Sequence, residues 1–449
     1  MEELIYYVWR HKIFPLSGLK TTDGQEVEVI DPGLQNRGSG PDFFNSKVKI
    51  GGQLWVGNVE MHVRASDWFR HHHDTDQAYN NVVLHVVGES DMQVPYPDGS
   101  GRLIPQLVLP VPDEVKENYD QLVRSDAFPR CFKEVPSFAP LTVHSWLSAL
   151  QVERLDERSE AIKDRWELLG RNWEETFFVS VARNFGFGKN GDAFEAWAKS
   201  FPLISLGKHR DSLFQIEAVF FGQAGLLAEA HDDFGDYYTK LRSEYLFLSH
   251  KFGLKPVSPS LWTHKVRPEN FPEVRLAQLA MLYFKGNLSM SSLVNAKELD
   301  SMRTLFKGGV SDYWHTHFKF KNEESPESEK QLSDTSADLI VMNTVVPFLF
   351  AYGRYKGNDE LCDRSFDLME QLRPEKNRYI RLWEEAGISC ESAADSQALM
   401  QLSKNYCEKR NCLRCRFGYE YIKRNPDFLK EETSSPTLTE SEETIGEET

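Results

Sequence analysis

Residues 40–63, GPDFFNSKVKIGGQLWVGNVEMHV, decide how the N-terminal part of the chain is read. Gly51 and Gly52 separate two runs of strand-forming residues, and paired glycines supply the positive φ that a two-residue hairpin turn demands. The stretch therefore predicts a β-hairpin. Along its second strand Trp55, Gly57, Val59, Met61 and Val63 alternate with Asn58, Glu60, His62 and Arg64, and a period of two sends each set to its own face. One face is expected in the core, and the other presents a polar row that folding does not need. Asp42 opens the partner strand, so closing the hairpin brings its carboxylate beside that of Glu60. Two carboxylates held close repel unless a cation joins them, and oxygen donors suit Mg²⁺ or Mn²⁺.

Working outward, Leu4, Tyr7, Val8 and His11 fall at helical spacing and predict a short opening helix. VEVI (27–30), the two hairpin strands and NVVLHVV (81–87) read as strands, giving the order helix, three strands, helix, strand. Beyond the proline-rich passage from Pro105 to Pro112 the pattern changes to long amphipathic stretches. Val143, Trp146, Leu147 and Leu150 form one apolar stripe, as do Leu276, Leu279, Ala280 and Tyr283, while GLLAEA (225–230) and DLMEQL (367–372) are rich in helix formers. The clustered prolines 256, 259, 268 and 272 and the charged run 321–338 are expected to be connectors. The expected fold class is α+β, a mixed N-terminal core followed by a largely α-helical C-terminal region.

The Pro41-Asp42 pair and the Glu60-Met61-His62 triplet resemble the PD-(D/E)XK nuclease superfamily, in which a Pro-Asp opens one strand and an acid-X-Lys follows on the next. The element order is also that of the superfamily, so the resemblance implies a restriction-endonuclease-like αβββαβ core. It implies that Asp42 and Glu60 hold the metal and that the third position manages the attacking water. Here that position is His62 instead of lysine, and a neutral imidazole can accept a proton or bind a softer metal but stabilises developing negative charge less well. Arg64, on the same face, is the candidate for the missing positive charge. Lys47 and Lys49 are expected on the opposite face unless a bulge intervenes. Asn36, within DPGLQNRGSG (31–40), and Asn58 are candidate substrate contacts at the cleft. The whole chain also resembles an uncharacterised bacterial domain-of-unknown-function family, through VIDPGL (29–34), GPDF (40–43), GNVEMHV (57–63), HHHDTDQAYNNVVLHVV (71–87) and YCEKRNCLRC (406–415).

Two further clusters carry donor atoms. His71, His72 and His73 are adjacent, and on a regular helix they point in different directions, so they are not expected to share one ion without a distorted backbone. His71 and His73 are retained as candidate contacts to substrate phosphate or a second metal, and His85, inside VVLHVV, as a hydrogen-bonded core histidine. Cys407, Cys412 and Cys415 form C-x4-C-x2-C, the last pair with the spacing of a metal knuckle. Three thiolates need a fourth ligand, and Cys390 is the preferred choice, for structural Zn²⁺ or a [4Fe–4S] cluster. Lys409, Arg410, Arg414 and Arg416 around this motif suggest a surface for phosphates.

The expected domains are a nuclease-like 1–112, a helical 113–320, a second helical part with the cysteine cluster at 337–428, and a disordered acidic tail at 431–449. Net charge is -16, but seven glutamates, Glu431, Glu432, Glu440, Glu442, Glu443, Glu447 and Glu448, lie past Lys430 with no basic residue among them. The charge thus argues against attraction of nucleic acid to the whole surface and leaves a local groove open. No secretion signal is read at the N-terminus, and the most apolar later stretch, Leu339 to Tyr352, is expected to be too short to span a membrane. The cytoplasm is the expected compartment. The function expected is metal-dependent hydrolysis of DNA or RNA, with the helical region positioning substrate or a protein partner; the alternative is a catalytically inactive nuclease-fold scaffold.

Overall fold

The computed structural model describes residues 2–36, 38–230, 234–321 and 323–424. The chain divides into two compact units, one of Met1–Val143 with the described residues from Ser403 on, the other of His144–Leu402. Elements of the first unit are α1 (Glu2–Arg10), β1 (Leu19–Lys20), β2 (Glu26–Asp31), β3 (Leu34–Gln35), β4 (Phe43–Ile50), β5 (Gln53–Arg64), α2 (Asp67–Arg70), β6 (Val82–Glu89), β7 (Gln106–Val108) and α3 (Asp113–Arg124).

The hairpin forms as its glycines require. Gly51 and Gly52 take φ of 57° and 84°, and Ile50 pairs with Gln53 across the turn. Strands run in the order β1-β2-β4-β5-β6-β7, with β3 beside β4. From β1 to β5 the pairing is antiparallel, whereas β5–β6 and β6–β7 are parallel. A parallel neighbour needs a crossover, and residues 65–81 provide it through α2 and a 3₁₀ turn at Gln77–Tyr79, which the Asp76 side chain caps by accepting from Ala78 N. Gly57 sits where β5 and β6 shift register. A Cβ there would lie 2.4 Å from Val83 Cγ1, so the close approach of the two strands requires glycine. On one side of the sheet α1 buries Leu4, Ile5, Val8 and Trp9; Ala65, Trp68, Tyr79, Val82, Val87, Val94 and Ile104 close a second cluster around the crossover.

Burial along β5 corrects the simple two-face reading. Leu54, Trp55 and Val56 are exposed, Trp55 at 41%, because β6 pairs with β5 only from Asn58 onward and nothing covers the earlier half. From Val59 to His62 both faces are buried, so the polar row of Glu60 and His62 is enclosed instead of facing solvent.

The cysteine segment, expected with the helices before it, groups with the first unit. Its C-terminal helix, Arg416–Ile422, packs on α3, where Asn118 Nδ2 donates to the carbonyls of Ile422 at 3.2 Å and Arg424 at 3.1 Å. Arg424 also forms an ion pair with Glu134. The acidic tail expected at 431–449 lies outside the described residues.

Among the described residues the second unit is helical throughout, around a core that includes Phe177, Phe178, Trp197, Phe220 and Phe348. Leu276, Leu279, Ala280 and Tyr283 are buried on the helix Pro272–Phe284 as expected. GLLAEA is not helical, since Gly225 takes φ of 75° and ends the preceding helix. The apolar segment is longer than expected: Asp334–Lys356 is a helical run of 23 residues, with a π-turn at Val341–Val345, long and apolar enough to cross a membrane by length and composition. Its most apolar window is 78% buried among the other helices of the unit.

Candidate metal centre

Asp42 and Glu60 meet as expected, and the way they meet depends on an irregularity. From the turn, pairing runs Ile50 with Gln53 to Ser46 with Gly57; then a bulge, with Asn45 at φ of 55°, shifts Phe43 opposite Val59. The shift brings Asp42 alongside Glu60 on one face. Each carboxylate then accepts from the other residue's strand: Asp42 N–H donates to Glu60 Oε2 at 3.0 Å, and Met61 N–H to Asp42 Oδ2 at 3.0 Å. The bulge thereby puts Asp42 on the face that Lys47 and Lys49 share with Glu60, yet these lysines pair with Val56 and Leu54, at least four residues along β5 from Glu60, or roughly 13 Å. Lys49 instead lies 3.9 Å from Glu28.

No lysine or arginine side chain is shown beside the two carboxylates among the described residues, and both hold their protons tightly. Burial, then the charge of Glu60, pushes Asp42 up to about 7 against the pull of the Met61 N–H. Burial pushes Glu60 up to about 8. Tyr6, whose hydroxyl donates to Glu2 Oε1 at 2.6 Å, also bears on Asp42.

Imidazoles close the other side. His73 Nε2 is 3.1 Å and His62 Nε2 3.6 Å from Glu60 Oε1, and His62 Nε2 is 3.2 Å from His71 Nδ1. One donor nitrogen each from His62, His71 and His73 can be chosen so that all three lie within 4.8 Å of one another. The regular-helix expectation for the histidine run fails because α2 lasts a single turn. His72 takes φ of 62°, His72 N–H donates to Phe69 O at 3.1 Å and His73 N–H to Trp68 O at 3.1 Å, which is a Schellman-type ending with histidine in the place glycine usually fills. The left-handed residue reverses the chain so that its two neighbours face one point, His71 exposed and His73 half-buried. Such strain, about 1 kcal/mol or more for a residue with a Cβ, concentrates at functional sites. His73 is further held by stacking on Tyr79, ring centroids 3.9 Å apart.

His85 is the buried core histidine expected, and it also orients His62. Its Nε2 lies 2.9 Å from His62 Nδ1. Gln106, its register partner on β7, donates Nε2 to Ser90 Oγ at 2.6 Å and to Met92 O at 3.2 Å, while its Oε1 and His85 Nδ1 are both buried with no hydrogen-bond partner among the described residues. Of the two facing nitrogens, His62 Nδ1 and His85 Nε2, one carries the proton and the other accepts it. Burial, followed by His85 and the other histidines, holds His62 down to about 2, and burial holds His85 down to about 4, so both are neutral at neutral pH. His62 therefore does not stand in for a lysine charge.

The donor set fits a divalent ion. The buried Glu60 and the half-buried Asp42 face each other with no basic side chain shown beside them among the described residues, and a 3.2 Å separation is what two nitrogens show when both ligate one ion at about 2.0 Å. With three imidazoles present, the set is not the all-oxygen one expected; nitrogen donors favour Zn²⁺ or Mn²⁺ over Mg²⁺.

Other expected site residues fall elsewhere. Arg64 is exposed at the end of β5, its Nε 3.2 Å from Glu89 Oε2. Asn36 organises its own loop, donating Nδ2 to Ser39 O and Pro41 O and accepting from Gly38 N, which shapes the turn into Asp42. Asn58 is half-buried at the β5–β6 register shift, its N–H donating to Asn81 O at 3.0 Å. Cys390 belongs to the other unit, with Sγ 4.0 Å from Ser392 O and with Asp395 and Glu384, not cysteines, as its charged neighbours. Tyr6, Tyr79 and Gln106 were not foreseen; the signal for the histidines was the spacing of His71 and His73, which places two rings on one side wherever the chain is not helical.

No curated protein and no solved structure matches the chain. Residues 2–378 match the family model described as "Protein of unknown function (DUF2851)", and the chain belongs to that family.

Proposed function

We propose that this protein is a metal-dependent nuclease that hydrolyses phosphodiester bonds in DNA or RNA, with its ion held by Glu60, Asp42, His62, His71 and His73. The observation that carries the reading is the convergence of three imidazole nitrogens on a carboxylate pair with no basic side chain shown to neutralise it. A bound divalent ion would supply a Lewis acid and a water of lowered pKa. The chain's own contribution is to hold that ion, to exclude bulk water from the Glu60 side, and to keep His62 neutral and oriented through His85.

Two features support a nucleic-acid substrate. Five strands lie between α1 and α2 where three were expected, but Pro41-Asp42 and Glu60-x-His62 meet on the paired strands β4 and β5, with a parallel β6 after the crossover, and that meeting is similar to the PD-(D/E)XK arrangement. In addition Arg10, Arg130, Arg410 and Arg414 line a cavity of about 410 Å³ that also includes Tyr6, the residue bearing on Asp42. Four arginines beside a metal site suit a phosphate backbone, since guanidinium pairs bidentately with phosphate.

The test is hydrolysis of single- and double-stranded DNA and RNA with Zn²⁺, Mn²⁺ or Mg²⁺, comparing wild type with Glu60→Ala, His73→Ala and Arg410→Ala. Expected are activity with Mn²⁺ or Zn²⁺, loss of at least 100-fold (roughly 3 kcal/mol of barrier) in the first two variants, and a rise in KM in the third. Activity unchanged in Glu60→Ala and His73→Ala refutes the assignment; an ion bound without hydrolysis of any nucleic acid would leave an inactive scaffold.

A further inference from the structure

Four of the six cysteines come together in the first unit, and one of them is far from the others in sequence. Cys131 has Cys415 and Cys412 as its charged neighbours, and Cys407 has Cys415, Cys131 and Cys412. All four are buried or half-buried, and none is in a disulfide. The C-x4-C-x2-C motif thus finds its fourth sulfur not in Cys390 but in the loop that follows α3.

The backbone around them is shaped for the sulfurs. Between Cys407 and Cys412 the chain turns through Arg410 at φ of 57°, with Arg410 N–H donating to Cys407 O at 3.2 Å and Asn411 Nδ2 to Asn405 O at 2.9 Å. Cys415 N–H donates to Cys412 O at 3.2 Å, closing the knuckle. Gly418 is needed beside it, because a Cβ there would come within 2.0 Å of Cys412 O. On the other side, Cys131 O accepts from Glu134 N and Val135 N at 2.9 and 3.2 Å, and the Phe138 and Phe417 rings pack with centroids 5.2 Å apart.

We propose that Cys131, Cys407, Cys412 and Cys415 ligate a [4Fe–4S] cluster that fastens the C-terminal segment to the loop after α3. The spacing selects the cluster over a single ion. Tetrahedral zinc at a Zn–S distance of 2.3 Å holds its sulfurs about 3.8 Å apart. Among the described residues the three-donor group within 4.8 Å is the imidazole trio, and no three of these sulfurs meet that spacing. A cluster whose irons sit at four separate corners spreads its thiolates more widely. Its net negative charge matches the surroundings: Arg130 bears on Cys412, and Arg410, Arg414 and Arg416 lie within the motif or next to it. The fastening also fixes Arg410 and Arg414 in the cavity wall opposite Arg10. The inference does not rest on the nuclease reading.

The experiment is purification of the full chain without oxygen, with iron, acid-labile sulfide and zinc quantified and the visible spectrum recorded, for wild type, Cys131→Ser and Cys390→Ser. Expected are about four irons and four sulfides per chain with a broad visible charge-transfer band, reduced to below one iron in Cys131→Ser and retained in Cys390→Ser. If Cys131→Ser does not fold, the wild-type metal content and the Cys390→Ser result decide. One zinc per chain without iron, or no metal, overturns the cluster; iron lost equally in Cys390→Ser overturns the ligand set.

Discussion

Binding of an ion at the carboxylate pair should expel protons, by an amount the structure fixes. With Asp42 raised to about 7 and Glu60 to about 8, at pH 7 roughly half a proton resides on the first and about nine-tenths on the second, so an ion that requires both ionised releases about one and a half protons. His62 and His73 add little, because burial holds both below the usual histidine range. The sign follows: acids with raised pKa are protonated at lower pH, protons compete with the ion, and affinity weakens as pH falls through 8 and 7. Apparent affinity for Zn²⁺ or Mn²⁺ should therefore rise roughly tenfold or more from pH 6 to pH 7 and flatten above pH 8. Calorimetric titration at pH 7 in two buffers of different ionisation enthalpy reads the released protons from the difference in observed heat. The same titration on Asp42→Asn, which removes one of the two acids and leaves Glu60 raised by its burial, should release about nine-tenths of a proton. Proton uptake, or affinity independent of pH between 6 and 8, would refute the claim that these two carboxylates form the ion site.

Other expectations come from the geometry around that pair. His71→Ala and His73→Ala should each weaken ion affinity at least tenfold while His72→Ala changes it little; His72→Ile, a β-branched residue at φ of 62°, should lower both affinity and stability, the latter by about 1–2 kcal/mol in denaturant unfolding. Arg64→Ala should leave affinity and activity within twofold, since an exposed pair with Glu89 contributes little. Gly57→Ala should lower the thermal midpoint, with overpacking against Val83 and Asn81 costing about 1–3 kcal/mol. Trp55→Ser should cost under about 0.5 kcal/mol, against about 3–5 kcal/mol for Trp68→Ala in the enclosed cluster.

What could be read in the sequence was what local chemistry decides. Two glycines and a period of two define the hairpin without reference to anything distant, and the switch from strand-forming runs to amphipathic stretches after Pro112 marks where the sheet ends. The exposure of Trp55 was not readable, because it depends on how far β6 extends along β5. Nor was Cys131 readable as a partner of the C-terminal motif: only the packing of Arg416–Ile422 on α3 brings that loop to it.

The candidate centre itself was half legible, and for a physical reason. Strict alternation from the turn would set Asp42 opposite Met61, on the wrong face; the bulge at Asn45 makes it a neighbour of Glu60. Strict helical spacing would splay His71 and His73; the left-handed His72 makes them converge. Each device works against local preference, and what it assembles around the buried Glu60 and His62 and the half-buried Asp42 and His73 is unfavourable to bury without a partner. Local rules break at Asn45 and His72, and both breaks supply donors to the same point. Folding alone gives no reason for that coincidence, whereas a cation at that point stabilises every group that the breaks bring in.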